Sequence, residues 1–337
     1  MVYINTFSIG FENEGFNEAQ HAKSVANFLG TNHEELYLSN NEIIDSAKHM
    51  SSIFDEPFYD PSQIPTYLVS KLAKSKVTVS LSGDGGDEIF YGYSKYILAY
   101  QLSKVPFRNI LSTTIGGLAS LLQIFKIKSN LLKKVDFLNL LLSSRDYIEM
   151  SEYLSNDRFA DKYKSSSNVS SDISYPLASN DIINSDVMQA MMYLDRKGYL
   201  TENILTKVDR ASMAVSLENR APLLDHRIIE LSSSFPNSFL MDNGIQKYIL
   251  KDILYRYVPK KLVDRPKTGF TPPLSEWIRG DLKKWTEELI YESNIGNEFL
   301  RLDYAKELYE DHLNNKFDNS LPIWKILMFI DWYKRWT

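Results

Sequence analysis

Cysteine is absent from the 337 residues. That excludes disulfides, thiolate zinc sites and a cysteine nucleophile within this chain. Histidine is scarce as well: His21, His33, His49, His226 and His312 show no close metal-ligand spacing and read as surface or helix residues. No secretory leader is visible, because Met1-Val2-Tyr3-Ile4-Asn5 lacks a basic start and a long apolar region. The expected compartment is therefore the cytoplasm. Long hydrophobic runs are missing too. The greasiest stretch, Asn109 to Phe125, carries Ser, Thr, Asn and Gln and falls below ~20 residues, so it reads as a core helix rather than a membrane span. There is no excess of positive charge: the formal net charge of −5 argues against a nucleic-acid surface. Neither a membrane nor a nucleic acid is an expected partner. Glycine is sparse, with 14 in the whole chain, yet Gly83, Gly85 and Gly86 fall within four positions.

What is present is the composition of a globular protein, 44% hydrophobic and 24% charged, long enough for one large domain or two. Residues Ile4 to Phe11 read as a buried strand, Asn17 to Leu29 as an amphipathic helix capped by Gly30, and Glu34 to Leu38 as a second strand. Helices follow at Asn41 to Phe54 and Gln63 to Ala73, and a third strand at Val77 to Leu81. This alternation predicts a parallel sheet with crossover helices. From Lys95 onward the strand signals fade. Helices are expected over Asp186 to Lys197, Asn203 to Leu217, Arg227 to Ser232 and 246–257, with a serine-rich loop in 165–171. The chain divides into an α/β part, 1–94, and a mainly helical part, 95–337. Trp324, Trp332 and Trp336 near the end read as core or helix-packing residues.

The glycine cluster sits in Leu81-Ser-Gly-Asp-Gly-Gly-Asp-Glu88, where a buried strand runs into a turn with three carboxylates. Glycine permits close approach of a ligand to the main chain, and turn amides can form an anion nest. Acids beside such amides are reconciled by a divalent metal, since Mg²⁺ held by one or two carboxylates bridges to phosphate oxygens. A nucleotide phosphate site competes here with a plain strand-to-helix turn whose acids cap the next helix. Three further clusters stand out: Lys207-Val-Asp-Arg210, Glu218 to Arg227, and Arg265-Pro-Lys-Thr-Gly-Phe270. Taken singly, each is equally a solvated ion pair or a turn. A dinucleotide-binding dehydrogenase is disfavoured, since no Gly-x-Gly-x-x-Gly opens the first strand–helix turn.

In this order the blocks resemble the synthetase domain of glutamine-dependent asparagine synthetases. The similarity runs through Thr6-Phe-Ser-Ile-Gly-Phe11, Asp55-Glu-Pro57 with Ser62-Gln-Ile-Pro65, the glycine turn, Leu205 to Glu218, Pro222-Leu-Leu-Asp-His226, and Lys247 to Phe270. Residues 95–180 match only in helical character. The resemblance implies an adenine nucleotide alpha hydrolase-like fold. It also implies that ATP and Mg²⁺ adenylate the side-chain carboxylate of aspartate, after which ammonia released from glutamine displaces AMP. By similarity, Ser82, Gly83 and Gly85 lie against the nucleotide and Asp87 holds Mg²⁺. Asp84 handles the ammonia-derived proton, standing where other family members carry Glu. Lys267 is the catalytic lysine of a closing loop around Gly269, and Asp209, Arg210, Glu218 and Arg220 belong to the site without individual roles.

Two parts of the family pattern are not found: the glutaminase domain with its terminal cysteine, and the strand with a Ser-Gly-Gly-x-Asp-Ser pyrophosphate loop expected just before Ile4. In the resembled fold that strand lies between those matching Ile4–Phe11 and Val77–Leu81. The sequence is therefore expected to be a truncated piece, impaired alone. The alternatives are one half of a split enzyme whose partner polypeptide supplies the strand, and an inactive homologue serving as a binding subunit. Relatives that amidate other carboxylates or close β-lactam rings keep the acceptor open.

Overall fold

The computed structural model describes residues 4–11, 18–124, 130–144, 147–155, 186–265, 272–295 and 299–337. Strand β1 (Asn5–Gly10) is followed by helix α1 (Ala19–Leu29) and by β2 (Asn32–Tyr37). The helix ends at Gly30, whose left-handed conformation lets its N–H return to the last carbonyls. β1 and β2 pair in parallel over their whole length, from Asn5 opposite Asn32 to Gly10 opposite Tyr37. Helix α2 (Asn40–Ile53) starts in a capping box, with the Ser39 side chain accepting from the Glu42 N–H while Glu42 returns to the Ser39 N–H. Asp55-Glu56-Pro57 ends it, and α3 (Gln63–Lys74) leads into β3 (Val79–Leu81). After β3 come α4 (Gly86–Ile89), α5 (Ser94–Ser103), α6 (Arg108–Ile124), α7 (Asn130–Ser143) and α8 (Tyr147–Ser155). The greasy segment is α6, packed on α7. Among the described residues, no helix is long and apolar enough to cross a membrane.

Helix α9 (Val187–Lys197) begins at an Asp186 cap and passes through a π-helical turn (Tyr199–Leu205) into α10 (Thr206–Met213). The helix expected to continue to Leu217 stops here. Ser216 takes a left-handed backbone, and Glu218–Arg220 becomes strand β4, parallel to β3. Pairing with β3 gives these residues a ladder that a longer helix would forfeit. Further on lie α11 (His226–Ser233), α12 (Asn237–Leu240), a hairpin of β5 (Met241–Asp242) and β6 (Ile245–Gln246), α13 (Tyr248–Tyr255) and α14 (Lys260–Val263). The hairpin was not expected. It turns on Asn243-Gly244, both at positive φ, the pair that a two-residue loop with a right-handed twist requires. Four helices close the chain: α15 (Leu274–Arg279), α16 (Lys283–Tyr291), α17 (Leu302–Leu313) and α18 (Ser320–Trp336).

Two cores hold the molecule. One joins Ile9, Phe11, Met50, Ile64 and Leu68 from the first strands and helices to Trp277, Trp285, Trp324 and Leu327 of the last four. The other gathers Ile89, Tyr91, Tyr96, Leu141 and Met191 around α5 and α9. Trp324 is fully buried as expected. Trp332 and Trp336 instead use their indole N–H groups, donating to the carbonyls of Asp55 and Ser51 and tying α18 to the end of α2.

The expected α/β class and helical second half are present, but a single continuous sheet is not. Among the described residues, β1 pairs with β2 and β3 pairs with β4, and no strand pairs with the facing edges of β1 and β3.

Candidate functional site

The space between those edges is a cleft of about 1050 Å³. Ile4 to Phe7 of the β1 side form one wall and Val79 to Ser82 of the β3 side the other, with Thr66, Val69, Ser70 and Ala73 of α3 as the floor. The edges carry apolar side chains into the open: Ile4 is 69% and Leu81 72% exposed. A row of unpaired backbone groups flanked by exposed apolar residues is a template for another strand.

At the carboxyl end of β3 the glycine turn enters the cleft, with Ser82, Gly83, Asp84, Gly85, Asp87 and Glu88 all lining it. Ligands of open α/β sheets bind at this end of the strands. The turn is held from both sides. The Ser82 N–H donates to the Arg220 carbonyl (2.9 Å), and the Ser82 hydroxyl donates to Asp84 (2.6 Å) while accepting from the Asn219 amide (3.0 Å). Gly85 has φ +85° and lies under Leu224, whose Cδ2 would be 2.2 Å from any added Cβ. Only glycine satisfies both conditions. Leu223 and Leu224, from the Pro222-Leu-Leu block, thus serve as packing for the glycine turn.

Asp87, the expected metal ligand, makes an ion pair with Lys247 at 2.9 Å. Lys247 is brought there by an unusual route. Its backbone is left-handed (φ 54°), and the neighbouring Gln246 side chain donates to the carbonyls of Tyr91 and Tyr93. Among the described residues, no three His, Cys, Asp or Glu side chains are grouped to hold a metal. The donor set does not fit a resident metal. A single carboxylate such as Asp87 could hold Mg²⁺ only with waters and phosphate oxygens as most of its ligands.

Two further groups line the cleft. Glu88 is buried, and burial pushes its carboxyl above the usual range, with the Tyr93 hydroxyl donating to it. Asp60 lies across from it, next to Lys207 of α10. Lys207 donates to Asp60 (2.9 Å) and to the Ser62 hydroxyl (2.8 Å). Asp60 also accepts from Asn203 and from the N–H and hydroxyl of Ser62. Burial alone would raise the Asp60 carboxyl, but Lys207 and these hydrogen bonds bring it below its ordinary value. The folded state therefore gains stability from ionised Asp60 above the ordinary carboxylate range and loses it as pH falls through the lowered value. Urea unfolding of Asp60→Asn should accordingly show a weaker loss of stability on acidification than the parent chain.

The remaining expected residues divide. Asp209 and Glu218 join Asp84 and Asn219 in a small adjoining pocket of about 330 Å³. Arg210 is turned to Asp55 (2.5 Å) and Arg220 to Glu218 (2.7 Å), both pairs substantially exposed. Lys267 and Gly269 lie outside the described residues. Glu88, Lys207, Asn219 and Lys247 fall inside the expected clusters and blocks without an expected role, and Asp60 lies outside them. Lys207 stood in a charged run on an otherwise apolar helix, and Asp60 and Ser62 stood inside or beside a matching block. Of the histidines expected at the surface or on helices, His33 instead sits on β2 against the hydroxyls of Thr6 and Ser8, and His312, on a helix, is buried and accepts from the Asn319 N–H.

Comparison with known proteins gives these residues a context. Residues 2–334 match the family model described as asparagine synthase. The chain is 33% identical, over 98% of its length, to asparagine synthetase [glutamine-hydrolyzing] 1 of Bacillus subtilis, covering 52% of that protein. It is 29% identical, over 97% of its length, to a putative asparagine synthetase [glutamine-hydrolyzing] of Mycobacterium tuberculosis, covering 50% of it. A 99-residue stretch is 42% identical to a putative asparagine synthetase [glutamine-hydrolyzing] 2 of Methanocaldococcus jannaschii. The chain spans about half the length of the first two relatives. With the family model matched almost end to end, the chain belongs to the asparagine synthase family.

Proposed function

We propose that this chain is the synthetase part of a glutamine-dependent asparagine synthetase, activating aspartate with ATP. The observation that carries it is the glycine turn, which delivers Ser82 to Asp87 into a large cleft at the carboxyl ends of the strands. The fold is read as adenine nucleotide alpha hydrolase-like, with 1–94 as the nucleotide-binding part and 95–337 completing it. The core shared by residues 9–68 and 274–330 supports completion rather than independence.

In the first step the β-carboxylate of aspartate forms a bond to the α-phosphorus of ATP, and pyrophosphate leaves with the electrons of the broken P–O bond. In the second, ammonia attacks the acyl carbon, a proton is lost from nitrogen, and AMP departs. Bringing a carboxylate to a triphosphate costs electrostatic energy, which positioned cations and amides offset. Backbone amides of Ser82 to Gly86 would face the phosphates. Asp87, released from Lys247, would hold Mg²⁺, whose contribution is charge neutralisation on the phosphates. Lys247 would then turn to the phosphates as a second cation. Asp84, which accepts from the Ser82 hydroxyl, would receive the proton from ammonia, and Lys267 would supply a further cation on the departing phosphates. Asp209, Arg210, Glu218 and Arg220 would support this wall. Ammonia must come from a glutaminase domain or subunit.

The slot between β1 and β3 takes one parallel strand, supplied with its phosphate-binding loop by polypeptide outside the described residues. Without it, adenylation by these residues alone should be slow. Amino-acid-dependent exchange of pyrophosphate into ATP tests the proposal when the chain is fused to the remaining half of its Bacillus relative. Exchange with aspartate is expected. Exchange with another carboxylate instead would move the acceptor, and none at all would overturn the function.

A further inference from the structure

The chemistry just described accounts for the phosphates and the reacting carboxylate of the substrate, but not for the rest of an amino acid. Aspartate brings a second, α-carboxylate into a cleft from which water must be excluded. A carboxylate leaving water needs a charged donor.

Lys207 meets that need. It is only 8% exposed, yet it lines the cleft. Its ammonium has three N–H donors. One goes to Asp60 and one to Ser62, and the third has no protein acceptor among the described residues. The position is fixed at both ends. Lys207 rides on α10, which packs along α3, while Asp60 and Ser62 form the entry to α3. The short connection of residues 75–78 turns the chain back from α3 into β3, so the start of α3 lies at the same end of the cleft as the glycine turn. Asp60 does not need the whole ammonium, because Asn203 and Ser62 also donate to it. The Lys207–Asp60 pair carries no net charge and offers a single directed donor. That suits one monoanionic carboxylate better than a triphosphate, which calls for several cations.

We infer that Lys207 binds the α-carboxylate of the amino-acid substrate and so selects α-amino acids over simple acids. This rests on the proposed aspartate activation. Its signature is specific. β-Alanine is aspartate without the α-carboxylate, and it keeps the carboxylate that reacts.

The test uses pyrophosphate exchange by the fused protein, with aspartate and β-alanine as acceptors. Lys207→Gln should raise the KM for aspartate roughly tenfold or more, the loss of one charge-assisted hydrogen bond. The KM for ATP should stay within about twofold on the same argument, since no phosphate contact is lost. The preference for aspartate over β-alanine should shrink by the same factor as the aspartate KM rises, and Lys207→Arg should recover part of it. Should Lys207→Gln fail to fold, the double variant Asp60→Asn/Lys207→Gln replaces the ion pair by a neutral one and is read in the same way. An unchanged aspartate to β-alanine preference in a folded variant overturns the inference, as does a rise in the KM for ATP instead. Absence of exchange with any amino acid in the parent fusion overturns the functional proposal on which it rests.

Discussion

Gly92→Ala is expected to abolish the site while most of the protein stays folded. A methyl group at residue 92 would lie 1.9 Å from Asp87 Oδ1, 2.3 Å from the Lys247 Cε and 2.7 Å from the Asp87 Cα. The two side chains could swing aside, but the backbone atom cannot. The Gly92 N–H also donates to the Asp87 carbonyl at 2.8 Å, so relief by moving the loop breaks that bond. Overpacking of this kind costs about 1–3 kcal/mol. More damaging is the displacement of Asp87 itself, since a shift near 1 Å in a positioning group can cost ~100-fold in rate. Pyrophosphate exchange by the fused protein should fall by at least that factor. Circular dichroism and the bulk unfolding transition should change little. Full exchange activity in the Gly92→Ala fusion would remove Asp87 and Lys247 from the proposed phosphate site.

A second large effect is expected in stability, one wall away. Asp195 of α9 is fully buried, and its carboxylate accepts from Lys95 (2.7 Å) and from the Tyr96 hydroxyl (2.5 Å). The Lys95 ammonium also lies over the rings of Tyr93 and Tyr199, about 5 Å from each centroid. Lys95→Met removes the counter-charge and leaves a carboxylate in an apolar core. Breaking a buried pair from one side costs ~3–5 kcal/mol. Urea unfolding should show that loss as a lower midpoint. The double variant Lys95→Met/Asp195→Asn should recover a good part of it, because the uncompensated charge is gone. Equal midpoints for the single variant and the parent chain would mean that the Lys95–Asp195 pair does not stabilise the fold. The same pair braces Tyr93 and Tyr199, which line the cleft, and Tyr93 donates to Glu88 of the glycine turn, so the lining beside the turn depends on it.

Local chemistry in the sequence carried far. The capping box at Ser39, the Gly30 stop, the Asp186 start and the glycine turn all follow from neighbours within a few residues. The Asn243-Gly244 turn obeys the same rule, but its two-residue strands are too short to show alternation in the sequence. Strand β4 was not legible. The helical pattern runs to Leu217, and the edge of β3, far earlier in the chain, pairs the next residues, Glu218–Arg220, into a strand. Long-range ion pairs were hidden for the same reason. Lys207 and Asp60 are 147 positions apart, and Lys247 meets Asp87 only because Gln246 ties the hairpin to the loop at Tyr91 and Tyr93. Residues of opposite charge are common, and which of them meet is decided by helix packing. The cleft combines both levels: a turn readable in one stretch faces charged partners that only tertiary structure selects.

The most direct test is aspartate-dependent pyrophosphate exchange, measured side by side on the 337-residue chain and on its fusion to the remaining half of the Bacillus relative. The expected result is exchange at enzyme-like rates, ~1–10³ s⁻¹, in the fusion, with a rate lower by orders of magnitude in the chain alone, where no strand among the described residues lies between β1 and β3. Enzyme-like exchange by the chain alone would contradict the need for a further strand. No exchange by a folded fusion would contradict the proposed chemistry.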